Sequence, residues 1–213
     1  MIVIGGMIGL GKTTTANLIA DEFKIPVYYE KVDDNKVLPL YYSSTDEEIE
    51  KKRYPFLLQL TFLSSRYKSI KEALEFDNAV LDRSIYEDHY FALKNHELGR
   101  ISDLELEIYT DLLKEMMKDI KGMKSKKPDV MIYLKGSFDT VIKRIKERGR
   151  EYEIDDKLVS YYKFLWKDYD KFVYDSYKES PVITIDVDKK DCLLNKNDRK
   201  ELIDSIKEIY KNN

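Results

Sequence analysis

The stretch Ile2-Val3-Ile4-Gly5-Gly6-Met7-Ile8-Gly9-Leu10-Gly11-Lys12-Thr13-Thr14 decides how the chain is read. It begins as a short β-branched apolar run and leads into residues 13–23, which have helical spacing. Between them, residues 6–13 match G-x-x-x-x-G-K-[ST], a loop that wraps phosphates between a strand and a helix. Glycines let successive backbone N–H groups face an anion, and the helix N-terminus adds partial positive charge. Gly6, Met7, Ile8, Gly9, Leu10 and Gly11 are therefore the expected nucleotide cradle. Lys12 is expected to reach the β- and γ-phosphates, Thr13 to ligate Mg²⁺, and Thr14 to offer a further donor.

Further apolar, partly β-branched runs recur at 27–29, 79–81, 130–134 and 182–187, separated by long stretches of helical spacing. With residues 2–4 they predict a mainly parallel sheet covered on both faces, with ligands beyond the carboxyl ends of its strands. Asp82 follows the third run, where an acid can stand beside the metal ion or cap the next helix. Ser102-x-x-Glu105 reads as a capping box, and Leu104, Ile108, Leu112, Met116 and Ile120 follow it along one structural stripe. Apolar positions spread further, to Leu106, Tyr109, Leu113 and Met117, so this helix is also a candidate surface for a second subunit. The polar stretch 43–52 reads as a solvated insertion or a helix start.

At 213 residues with 43% hydrophobic content the chain suits one domain, 1–213. The 37 Lys+Arg and 40 Asp+Glu nearly cancel, so no overall basic field attracts a nucleic acid polymer, and a small-molecule substrate is expected. Cys192 is the single cysteine, which excludes an internal disulfide framework and points to a reducing cytoplasm. The apolar N-terminus lacks a basic flank and is too short for a signal peptide or span, so no membrane association is expected.

The loop alone does not separate a kinase from a switch GTPase or an ATPase. Asp119-Ile120-Lys121-Gly122 and Asn195-Lys196-Asn197-Asp198 match GTPase patterns only superficially. The first falls at the end of an amphipathic helix, and Asp198-x-x-Glu201 makes Asp198 the expected cap of the final helix.

Further landmarks are Tyr29-Glu30-Lys31-Val32, the segment 59–66, Asp82-Arg83-Ser84-Ile85-Tyr86-Glu87-Asp88, and Arg144-Ile145-Lys146-Glu147-Arg148-Gly149-Arg150. With the phosphate loop, and over nearly the whole chain, they resemble the deoxyribonucleoside kinase family, in particular its bacterial members. The resemblance implies an α/β P-loop kinase fold: a five-stranded parallel sheet, helices on both faces, and an Arg-rich lid at about 144–153. It implies ATP as donor, Mg²⁺ as cofactor, a homodimer, and a nucleoside 5′-hydroxyl as acceptor.

By the same resemblance Glu30 lies beside that hydroxyl as general base, and Arg83 keeps the carboxylate ionised. Asp82 is the alternative base, although its place beside Mg²⁺ is preferred. Arg144, Arg148 and Arg150 stabilise the moving phosphoryl group, unless they are an ordinary solvated helix face. Glu153 accepts from the sugar 3′-hydroxyl with Tyr42 beside it, Tyr41 being an equal chemical candidate. Phe91 offers a face to the base or fills the core. Asp186, Val187 and Asp188 form the loop around the adenine of ATP.

Base choice is expected from Gln59, Asp88 and Arg66. The Gln59 amide pairs with a ring nitrogen and an amino group, and an ionised Asp88 directed by Arg66 favours amino over carbonyl. Deoxyadenosine and deoxycytidine are then preferred, deoxyguanosine weaker and thymidine poorest, unless Arg66 and Asp88 pair remotely from the base. Two rivals remain: a thymidylate-type monophosphate kinase, where Glu30 would face a dianion, and a catalytically silent ATP-binding regulator.

Overall fold

Five short strands, β1 (Ile2–Gly6), β2 (Val27–Tyr28), β3 (Val80–Asp82), β4 (Val130–Lys135) and β5 (Val182–Asp186), form one sheet in the order β2-β3-β1-β4-β5. Every pairing is parallel, as the strand–helix alternation predicts. The computed structural model describes residues 1–32, 34–122, 127–150, 153 and 155–212. The expected lid at 144–153 is thus described except at 151 and 152, which lie outside those residues.

All residues of β1 and β3 are buried, which explains why these strands read as continuous apolar runs rather than alternating ones. The chain runs from β1 to β2 and β3 on one side of the sheet, then crosses to β4 and β5 on the other. That reversal opens a crevice at the carboxyl ends of β1 and β3, where ligands bind in open α/β sheets. Ile4 is in register with Asp82, so the phosphate loop and Asp82 emerge side by side.

Helix α1 (Lys12–Phe23) starts directly at the loop. After it come α2 (Leu38–Ser43), α3 (Asp46–Lys52) and α4 (Tyr54–Ala73), and α4 packs with α5 (Ile85–Glu97) and α6 (Asp103–Gly122). Later come α7 (Phe138–Arg148), α8 (Asp156–Lys167), α9 (Tyr169–Lys171) with a π-helical turn at Phe172–Ser176, and α10 (Lys196–Asn212). The 43–52 stretch is a helix start: Thr45 and Glu48 form a capping box opening α3. Ser102 and Glu105 form the expected box at the start of α6.

Two local expectations need correction. Leu104, Ile108 and Leu112 do not face the core: they are 65%, 50% and 41% exposed, while Tyr109 is fully buried. Apolar residues occupy so much of this helix's circumference that the 3.6-residue period allows two stripes, and only packing against α4 and α5 selects one. The final helix is capped by Asn195, not Asp198. The Asn195 carbonyl Oδ1 accepts from the backbone of Asn197 at 2.9 Å and Asp198 at 3.4 Å. Asp198 instead accepts from the Asp191 backbone at 2.9 Å. Asp and Asn are comparable caps, so spacing alone could not choose between them. The other GTPase-like pattern lies at the end of α6, away from any strand.

Candidate active site

The phosphate loop leaves β1 at Gly6, whose φ of +145° suits glycine, and a Cβ there would lie 2.7 Å from the Leu134 carbonyl oxygen. Gly11, at φ +91°, caps α1 and leaves the first N–H groups of the helix facing the cleft. Lys12 is 7% exposed, and its Nζ donates to the Gly6 and Met7 carbonyls, each at 3.0 Å. Burial, reinforced by Arg83 and opposed by Glu30, Asp82 and Glu87, pushes its pKa down to about 8. A phosphate would supply the counter-charge this ammonium lacks.

Thr13 Oγ1 donates to Asp82 Oδ2 at 2.5 Å. Asp82 is 3% exposed, and its Oδ1 has no hydrogen-bond partner among the described residues. Burial lifts its pKa above the usual carboxylate range, with Lys12 and Thr13 opposing. A buried carboxylate oxygen without a partner, next to a hydroxyl, fits a hard cation. Among the described residues no cluster of three or more His, Cys, Asp or Glu side chains could hold a metal by itself. A Mg²⁺ here would therefore draw most ligands from phosphate and water. The helix cap that Asp82 could have been is supplied by Ser84.

Glu30 lies just past β2 with one oxygen clamped: Oε1 accepts from Arg66 Nη2 at 2.9 Å and forms an ion pair with Arg83, whose Nε lies 2.8 Å away. Its Oε2 has no partner among the described residues. Burial would raise the Glu30 pKa, but Arg83, Arg66 and Lys12 outweigh it and hold the carboxyl at about 2. Arg83 adopts φ +89°, donates its backbone N–H to Ile4 O at 3.0 Å, and lies 4.9 Å from the centre of the Phe91 ring. Arg66 is fully committed, with Nη1 donating to the Asp82 carbonyl at 3.1 Å and Nε to Asp88 Oδ2 at 3.2 Å. Burial disfavours both guanidinium charges, yet Glu30 with Glu87 around Arg83, and Asp88 with Glu30 around Arg66, raise their pKa values further.

A cavity extends from Glu30 and is lined by Gln59, Asp88, Phe91, Tyr41, Tyr42 and Glu153, among others. A neighbouring cleft runs past Gly9, Gly11, Thr13, Thr14 and Asp82 to Arg144, Arg148 and Arg150. Lys12, Glu30, Val32, Arg148 and Arg150 line both. Glu30 therefore stands where the two cavities meet.

Gln59 makes no side-chain hydrogen bond among the described residues and faces the cavity, as does Asp88, whereas Arg66 lies behind them. Burial, opposed by Arg66, pushes the Asp88 pKa up to about 6. The Tyr41 hydroxyl accepts from Arg100 at 2.6 Å. Tyr42 is held neutral by burial and by its neighbours Tyr162, Tyr161, Tyr41 and Glu153. Arg148 and Arg150 pair with Glu153, and Arg144 donates to the Leu10 carbonyl at 2.9 Å. Arg144 and Arg148 share α7, which ends at Gly149 with φ +71° as the spacing predicts.

Asp186, Val187 and Asp188 line neither cavity. Asp188 accepts from the Ser137 backbone at 2.7 Å and from Thr140 Oγ1 at 2.5 Å, and the Val187 and Leu10 side chains both pack beside Gly136. Some contributors carry no expectation from the sequence. Tyr161 and Leu165 of α8 line the cavity, and no local pattern signals them. Glu87 is fully buried behind Arg83, and the spacing Ser84-x-x-Glu87 of a capping box could have exposed it.

A family model described as deoxynucleoside kinase matches residues 2–211. The chain is 43% identical to deoxyguanosine kinase of Lactobacillus johnsonii, over 97% of this chain and 90% of that protein. It is also 43% identical to deoxyadenosine kinase of Lactobacillus acidophilus, over 98% of this chain and 95% of the relative. Among solved structures, deoxyadenosine kinase from M. mycoides with bound dATP superposes with a TM-score of 0.78 at 25% identity, covering 97% of this chain and 98% of that one. Likeness of this extent, added to a phosphate loop that opens beside a polar cavity, means that the chain belongs to the deoxynucleoside kinase family and is an enzyme of that kind.

Proposed function

We propose that the protein uses Mg-ATP to phosphorylate the 5′-hydroxyl of deoxyribonucleosides, favouring deoxyadenosine and deoxycytidine over deoxyguanosine and leaving thymidine poorest. The observation that carries this reading is Glu30, with one oxygen clamped by two arginines and the other unpartnered where the cavities meet. A nucleoside hydroxyl at that oxygen is oriented toward the donor phosphate and has an acceptor for its proton. The low pKa keeps Glu30 a carboxylate, and a loose transition state asks more for position than for base strength.

Lys12 and the loop N–H groups hold the β- and γ-phosphates, and Arg144, Arg148 and Arg150 neutralise charge on the moving group. Thr13 and Asp82 hold Mg²⁺, which supplies charge neutralisation on the phosphate oxygens. Asp186, Val187 and Asp188 border the adenine of the donor. In the acceptor cavity, Phe91 faces the base, and Glu153 with Tyr42 receives the 3′-hydroxyl, the Tyr41 hydroxyl being engaged by Arg100. Gln59 and Asp88 meet the Watson–Crick edge, with Arg66 behind them as the group that orients Asp88. A monophosphate acceptor is disfavoured because Arg66 and Arg83 are already committed to carboxylates.

Incubation with Mg-ATP and each nucleoside or monophosphate separately, followed by product separation, tests the reading. Deoxynucleosides should become 5′-monophosphates, and turnover of monophosphates alone would overturn the acceptor assignment. The same proposal includes a cytoplasmic homodimer. The exposed Leu104, Ile108 and Leu112 on α6 support the dimer, and sedimentation as a monomer at micromolar concentration would reject it. No helix among the described residues is long and apolar enough to cross a membrane.

A further inference from the structure

Glu87 has no part in the reaction as proposed, yet it is fully buried and receives donors from four directions. Its Oε2 accepts from the Ser84 backbone at 2.8 Å, which completes the capping box of α5. Its Oε1 accepts from the Gly6 backbone N–H at 3.0 Å, from Arg83 Nη1 at 3.2 Å, and from the Tyr169 hydroxyl. A cap needs only the first of these contacts. The other three tie together the root of the phosphate loop, the arginine that grips Glu30, and α9.

A guanidinium is a rigid planar fork, so holding Nη1 fixes the direction of Nε. In Arg83, Nη1 is held by Glu87 and Nε holds Glu30 at 2.8 Å. We infer that Glu87 is a positioning residue for phosphoryl transfer: it locks Arg83 to the phosphate loop at Gly6 and thereby sets where Glu30 stands relative to the donor phosphates. It lines neither cavity, so it acts through Arg83 and the loop rather than on a substrate. The inference rests on the reading of Glu30 as the group beside the acceptor hydroxyl.

The competing account is that Glu87 only caps α5. Ser84→Ala removes the other half of that cap, where Ser84 Oγ accepts from the Tyr86 backbone at 3.1 Å, and leaves the links to Gly6 and Arg83 in place. Glu87→Gln keeps the size but puts an amide donor where only acceptors fit. Wild type, Glu87→Gln, Ser84→Ala and Tyr169→Phe are compared with Mg-ATP and deoxyadenosine for kcat, KM, ATP Kd by equilibrium binding, and melting temperature. Glu87→Gln should lower kcat by about 10- to 100-fold, because misplacement of a reacting group is costly, while KM and Kd stay within about threefold. Ser84→Ala should melt lower with kcat within about twofold of wild type.

If Glu87→Gln melts lower but keeps its kcat, the residue is a cap and the inference is wrong. If it does not fold, Tyr169→Phe decides, because it removes one donor to the same oxygen: a several-fold loss of kcat supports the inference and an unchanged kcat overturns it. A wild type that phosphorylates monophosphates only overturns the acceptor reading and this assignment with it, and that failure shows in the wild type rather than in the variants.

Discussion

The phosphate cleft takes much of its lining from one continuous segment, residues 9–14, with Asp82 supplied by the neighbouring strand and Arg144, Arg148 and Arg150 by α7 and the turn after it. The cavity beside Glu30, in contrast, draws Glu30 from the end of β2, Gln59 from α4, Asp88 and Phe91 from α5, Tyr161 from α8, and Glu153 from beyond α7. One region works mainly through backbone N–H groups whose direction the chain conformation dictates. The other works through buried side chains that hold one another, Arg66 and Arg83 each bridging two acids. Loop substitutions should therefore be felt as backbone strain, and cavity substitutions as lost alignment or altered selectivity.

The largest expected effect lies where the two regions meet. Glu30→Gln should keep ATP binding while lowering turnover by about 10²-fold or more. Steady-state kcat with deoxyadenosine and a direct ATP-binding measurement check this, and near-normal turnover would move the base to Asp82 or remove the need for one. Next is strain confined to the loop. Gly6→Ala would force a Cβ to 2.7 Å from a backbone oxygen at φ +145°, and denaturant unfolding should show a loss of about 2 kcal/mol or more. An unchanged unfolding midpoint would mean that the loop is not held by its backbone conformation.

The third expectation concerns charge in the cleft. Because burial depresses the Lys12 pKa to about 8, the nucleotide-free protein loses this ammonium as pH rises through that value. ATP affinity should then fall by up to about tenfold per pH unit above it, read by equilibrium binding. Lys12→Met should flatten that limb.

The smallest effect belongs to the cavity. Asp88, raised to about 6 by burial, is a carboxylate above that pH and a neutral acid below it, when it can donate to a carbonyl. Of the charged groups around it, Glu30 is held at about 2 and Arg66 and Arg83 remain cationic, so none titrates in the same window. The kcat/KM of deoxyguanosine relative to deoxyadenosine should rise a few-fold as pH falls from about 7 to about 5, because the group then presents a donor. Asp88→Asn should abolish the trend. Combining Asp88→Ala with Arg66→Met should relax selection toward thymidine, and an unchanged preference order would mean that this pair does not read the base.

What the amino-acid order determined by itself was whatever depends on local spacing. The five strands follow from short apolar runs, the cradle at 6–14 from glycines and a lysine at fixed offsets, and the helix carrying Arg144 and Arg148 from periodicity closed by Gly149. The roles expected of Glu30, Asp88 and Glu153 came only from family likeness, because an isolated acid on a loop or helix has no local signature. Tertiary structure alone decided which stripe of α6 is buried, that Arg66 stands behind the cavity rather than in it, that Tyr161 lines it, and that Glu87 joins Gly6 to Arg83. Those contacts span up to 81 residues, as in the Gly6–Glu87 bond, and depend on which strand ends the sheet order brings together. Helical and strand periods specify a face but not the partner that will cover it.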